Sequence, residues 1–171
     1  DNYLHRNLET ADIMLKKILK QIFTIIPIPI TKNQRYDFLT KKILRRLTPN
    51  SNCIDVGCLK GEILDLMLIS APQGTHFGIE PIPQQYNFLK EKYASLNNVN
   101  IVNIAASNHS GTATFNYVIS NPSYSGLVKR DYDRSGEIDT KIEVHTELLD
   151  NVIPENLPIS FIKIDVEGAE M

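Results

Sequence analysis

The sequence predicts an α/β fold built on a doubly wound, mostly parallel sheet, and three observations predict it. From residue 52 onward, short apolar runs alternate with segments of helical spacing: NCIDVG (52–57), GEILDLMLISA (61–71), THFGIEP (75–81), QQYNFLKEKYASL (84–96) and NVNIVNIAAS (98–107). Strand and helix alternating at this pace mean βαβ units, parallel pairing and helices on both faces. The first strand–helix turn is closed by two glycines, Gly57 and Gly61. With 171 residues, 42% hydrophobic and 22% charged, the chain has the material for one ordinary core.

Each element follows from its pattern. Residues 7–26 carry Leu15, Ile18, Leu19, Ile22, Phe23 and Ile26 at helical spacing, with Lys16, Lys17 and Lys20 mostly off that stripe. Pro27 and Pro29 stop this helix, so residues 1–30 are read as an N-terminal amphipathic helix and residues 31–171 as the main domain. The basic stripe admits contact with a membrane surface or a partner. A second helix runs from Thr31 through Tyr36, Phe38, Leu39, Ile43 and Leu44 to Leu47, before Pro49. After the βαβ region the alternation lapses. Residues 112–119 and 141–149 read as strands joined by a polar loop, Asn121 to Asp139, of a length uncommon without a function, with a solvated, variable loop as the alternative. Its Tyr124, Ser125 and Tyr132 are candidate acceptor contacts. Residues 148–157 give a turn of helix before the last strand.

That last strand, FIKIDVEGAE (161–170), poses the sharpest question. Ile162, Ile164 and Val166 alternate with Lys163, Asp165 and Glu167, so three charges share one face. A central strand tolerates such a face only where the charges serve a purpose or pair with one another.

Charge and cysteine usage exclude some classes. Residues 1–50 hold 10 Lys/Arg against 4 Asp/Glu, and residues 51–171 hold 8 against 16, so a net +6 segment precedes a −8 body. An acidic body argues against binding nucleic acid through its phosphates. No apolar run is long enough to cross a membrane, and the N-terminus lacks a signal-peptide pattern. Cys53 and Cys58 are too few for a disulfide framework and lack metal spacing, which fits reduced thiols in a cytoplasmic protein.

The chemistry concentrates in two places. DVGCLKG (55–61) opens a helix directly after a strand, where Gly57 allows close backbone approach and the helix start offers N–H groups. Leu59 stands where a dinucleotide loop has its middle glycine, which argues against pyrophosphate. Glu80 ends the second strand, nineteen residues after Gly61, where a carboxylate accepts both ribose hydroxyls. A nucleoside site without a phosphate cradle fits S-adenosylmethionine. No set of metal ligands is recognisable. His145 is a distant candidate for proton transfer.

DVGCLKG, GIEP, NIAASNHSG, VHTELLD and FIKIDVEGAE together resemble the FkbM-type methyltransferases, from about Tyr36 to the end. The chain has Cys58, Leu59 and Lys60 where that family usually has small residues and Asn. The resemblance implies a Rossmann-like sheet of the class I methyltransferase type, with the KIDVEG strand fourth and beside the first. It implies S-adenosyl-L-methionine as cofactor, held by Asp55, Gly57, Cys58, Gly61, Glu80, Ala105 and Ser107. It also implies O-methylation of a sugar, polysaccharide or polyketide-like hydroxyl. Asp165 and Glu167 are then the candidate catalytic bases, and Lys163 an internal counter-charge. By the same comparison the sheet is incomplete, and the chain reads as an N-terminal piece cut after its fourth main strand. A non-catalytic cofactor-binding domain, and an NAD-dependent oxidoreductase with a degenerate glycine loop, are the rival readings.

Overall fold

The computed structural model describes residues 32–129 and 136–166. The amphipathic helix expected over residues 1–30, Tyr132, Glu167 and Glu170 lie outside the described residues. The chain divides into two units, Asp1–Ile43 and Leu44–Met171. The described part of the first, residues 32–43, belongs to helix α1 (Lys32–Leu44), which ends three residues before the expected Leu47.

The second unit is the α/β body. Its elements in order are β1 (Asn52–Val56), α2 (Glu62–Ser70), β2 (His76–Ile79), α3 (Pro83–Lys92), β3 (Val99–Val102), β4 (Ala105–Ala106), β5 (Gly111–Val118), β6 (Asp139–Glu147), α4 (Leu149–Val152) and β7 (Ile159–Ile164). The main sheet has the order β3-β2-β1-β7 and every pair in it is parallel. Reversal of strand order about β1 is the mark of a doubly wound sheet, and ligands bind at the carboxyl ends of strands flanking that switch. The expected strand over 98–107 is broken into β3 and β4, and β4 pairs with β6 in a second sheet of order β4-β6-β5. Within it β5 and β6 form a long antiparallel hairpin, Gly111 opposite Thr146 through Val118 opposite Asp139.

Parallel strands alternate their side chains between two buried faces. On one face Cys53, Ile101 and Phe161 meet Leu64 and Met67 of α2, Leu89 of α3 and Tyr93. On the other, Ile54, Val56, Phe77 and Ile79 meet Leu149 and Val152 of α4 together with Ile153 and Leu157. The strands β1 and β2 are thereby covered on both faces.

β7 reverses the usual sense of a half-buried strand. On one of its faces Lys163 is inside, 9% exposed. Its apolar face is outside, with Ile162 and Ile164 at 46% and 54% exposure. β7 is an edge of the described sheet and pairs only with β1, Ile162 opposite Ile54 and Ile164 opposite Val56.

Candidate active site at the ends of β1, β2 and β7

The site begins with the turn after β1. Gly57 takes a φ of 76°, a left-handed conformation natural only to glycine. A Cβ built there would overlap the backbone carbonyl oxygen of Asp165. The expectation was that Gly57 keeps a path open for the cofactor. In the structure the space beside it is filled by β7, so the glycine first permits two backbones to touch. Asp165 N–H donates to Val56 O at 3.0 Å and closes that contact. Gly61, also at φ 76°, precedes α2, and a Cβ on it would overlap the Tyr93 hydroxyl. That hydroxyl lies 3.0 Å from Gly61 O and 2.8 Å from Asp65 Oδ1.

Most of the loop's N–H groups are already engaged. Gly57 and Cys58 donate to Ile79 O at 2.9 and 3.2 Å, and Gly61 donates to Cys58 O at 2.6 Å. The Cys58 side chain turns into the core beside Leu64 and Leu89, where burial pushes its thiol pKa up. Only its backbone remains for a ligand. Both cysteines are free and buried.

Two carboxylates flank this loop. Asp55 is fully buried at the end of β1, and among the described residues neither of its oxygens has a hydrogen-bond partner. Its nearest opposite charge is Lys163 Nζ at 3.6 Å, and the same ammonium lies 3.1 Å from Asp165 Oδ2. Burial pushes the Asp55 carboxyl up to about 6, with Lys163 pulling it back. Lys163 is thus the internal counter-charge that the resemblance implied, and its partners are Asp55 and Asp165. The Asp165 side chain is 50% exposed, less enclosed than expected for a residue lining a closed site.

Glu80, 2% exposed, directly follows β2, one residue beyond the strand it was expected to end. Oε2 accepts from Leu59 N–H at 2.8 Å and Oε1 from Ile82 N–H at 2.9 Å. Burial pushes its pKa up to about 7, against the pull of these two donors. Asn103 Nδ2 donates to Glu80 O at 2.8 Å and Pro81 O at 3.1 Å, fixing the chain as it leaves β2.

The remaining expected contacts lie at the β4 end. Ala105 is buried in the cluster of Ile82, Phe115 and Val144. Ser107 N–H donates to Glu147 O at 3.0 Å, and its hydroxyl lies 3.2 Å from His109 Nδ1. Ser125 belongs to the hairpin: it is 8% exposed and its hydroxyl accepts Val118 N–H at 2.9 Å. His145 is exposed, 3.9 Å from Glu147 Oε2.

The two carboxylates make this end of the sheet rich in acceptor oxygens. A carboxylate has about four lone-pair directions, and Glu80 has spent two on backbone donors. Asp55 offers two buried oxygens that lack donors. Sequence reasoning missed the pairing of Asp55 with Lys163 and the hold of Glu80 on Leu59. The one legible signal was a lysine flanked by isoleucines in a strand.

No curated protein matches the chain. Solved structures match over part of it. The chain is 25% identical to a precorrin-6y C5,15-methyltransferase from Geobacter metallireducens GS-15, over 45% of this chain and 41% of that one, at a TM-score of 0.35. It is 21% identical to a SAM-dependent methyltransferase from Aquifex aeolicus, over 40% and 38%, at a TM-score of 0.30. It is 16% identical to the 23S rRNA methyltransferase ErmE, over 48% and 46%, at a TM-score of 0.32. The chain thus spans less than half the length of each. A family model described as the methyltransferase FkbM domain matches residues 55–171, which include the loop, Glu80 and β7, and so the chain belongs to the FkbM methyltransferase domain family.

Proposed function

We propose that this protein transfers a methyl group from S-adenosyl-L-methionine to a hydroxyl of a sugar, polysaccharide or polyketide-like acceptor. The observation that carries the reading is the family match over the segment in which Asp55 and Glu80 flank the glycine loop. The cofactor supplies an electrophilic methyl on a sulfonium. Glu80 would hold the ribose hydroxyls, and Asp55 the positive end of the ligand. The backbone of Gly57, Cys58 and Gly61, with Ala105 and Ser107, would line the remainder.

The chain's own contribution is position and charge control. A sugar hydroxyl is a weak nucleophile and needs its proton removed as the new bond forms. Asp165, half exposed at the end of β7, is a carboxylate that an acceptor can reach, and Lys163 holds it in place from inside. Glu167, outside the described residues, is the second candidate base. The acidic −8 body supports a small-molecule or glycan acceptor over nucleic acid. No helix among the described residues is long and apolar enough to cross a membrane. A cytoplasmic location, with peripheral membrane or partner contact through residues 1–30, completes the reading.

The test is calorimetry with S-adenosylhomocysteine, followed by labelled methyl transfer from S-adenosylmethionine to a panel of saccharides and polyketides. Asp165→Asn should lower turnover by roughly 10²–10⁴-fold while leaving cofactor affinity within about twofold. Absence of binding by wild type overturns the cofactor assignment. Full turnover in Asp165→Asn moves the base elsewhere.

A further inference from the structure

Among the described residues Leu59 is the one non-glycine residue with a positive φ, at 46°. The left-handed region crowds a Cβ against the following carbonyl, and leucine gains nothing there in return. The half-buried Leu59 side chain belongs to none of the three core clusters. Its backbone makes one specific long-range hydrogen bond. Leu59 N–H donates to Glu80 Oε2 at 2.8 Å, across 21 residues of sequence, while the other oxygen is tied to Ile82 N–H at 2.9 Å.

We infer that Glu80 is a positioning residue that clamps the glycine loop in a shape Leu59 resists, and that the same carboxylate thereby couples the loop to a bound ribose. The inference rests on the proposed cofactor reading for its second half only. Chemistry makes a carboxylate necessary. Both oxygens face backbone N–H donors, so both must accept. An amide of the same shape accepts with one oxygen and would turn an NH₂ group toward the other donor. A buried carboxylate is itself unfavourable, and the two donors offset that burial. A ligand hydroxyl that draws on the spare lone pairs is held by a group already fixed to the loop.

A double-mutant cycle separates the clamp from a plain ribose contact. Glu80→Gln, Leu59→Gly and the double variant of the full-length protein are titrated with S-adenosylhomocysteine. If Glu80 acts through Leu59, glycine removes the resistance. The Glu80→Gln loss should then be smaller in the Leu59→Gly background by roughly 5- to 30-fold, equivalent to about 1–2 kcal/mol. Equal losses in both backgrounds overturn the clamp and leave Glu80 a ligand contact only. Leu59→Asn, whose side chain tolerates the left-handed region, should rescue in the same sense. Independently of any ligand, amide hydrogen exchange at Leu59 should speed up at least tenfold in Glu80→Gln with the global stability unchanged. Unchanged exchange there also overturns the clamp. Should wild type fail to bind S-adenosylhomocysteine, the cofactor reading falls, and the exchange measurement still decides the clamp.

Discussion

The ends of β1 and β2 each bury a carboxylate, and they keep it in different ways. At β1, Asp55 has orphan oxygens and relies on an ammonium 3.6 Å away, carried by β7. At β2, Glu80 has no ion pair among the described residues and relies on two backbone N–H donors from the loops beside it. The first arrangement is Coulombic and reaches across the sheet. The second is dipolar and local. Burial lifts both groups, Asp55 to about 6 and Glu80 to about 7. The difference teaches where each end is vulnerable. The β1 end depends on β7 staying in register, and the β2 end depends on the shape of one loop.

The harshest way to break the β1 end is steric. Gly57→Val places a branched Cβ against the Asp165 carbonyl and forces it to a φ of 76°. It should cost roughly 4 kcal/mol or more, because the β1–β7 contact has to open. Urea denaturation measures this, and a loss below about 1 kcal/mol would show that the two backbones part easily.

The electrostatic break should be smaller and depend on pH. Lys163→Met strands Asp55 without its counter-charge and should cost about 3 kcal/mol at pH 8. The Asp55 carboxyl is raised in the folded state, so its stabilising effect is fully present below its unfolded value and is lost as pH rises through about 6. Removing the lysine raises that folded value further. At pH 5, where Asp55 in the variant takes up a proton and becomes neutral, the cost should therefore shrink by half or more. A cost that is equal at both pH values would show that the lysine acts through packing.

The smallest effect lies outside both ends and sharpens the contrast. Ser125→Ala leaves the fully buried Val118 N–H without its acceptor and should cost about 1 kcal/mol. Affinity for S-adenosylhomocysteine should not change. A loss of affinity would show that the hairpin communicates with the loop.

The fold was legible because parallel strands advertise themselves: the cores of β1, β2 and β7 sit inside the apolar runs, and Gly57 and Gly61 mark the turn. Glu80 was legible by position alone. Its partners were not, because Leu59 lies 21 residues away and the bond depends on how the loop folds back. Residues 98–107 read as one long strand, and the break before Ala105 is invisible in sequence because it answers to the hairpin that recruits β4. Nor could Lys163 be matched to Asp55 from sequence. Register between β1 and β7 includes an irregularity at Asn52/Cys53, and a slip of one residue turns every side chain to the other face.

The glycine turn lies early in the chain, yet β7 completes its shape. Asp165 meets Gly57, and Lys163 meets Asp55, only after more than a hundred residues have been threaded between them. Contacts that close such long loops form late, since chain entropy has to be overcome before they reward it. The geometry at the end of β1 is therefore an outcome of global folding rather than a local motif. A nascent chain that has emerged only as far as β2 would carry the glycine turn in sequence without its shape. The shape of the turn should accordingly arise in the same kinetic step as the docking of β7.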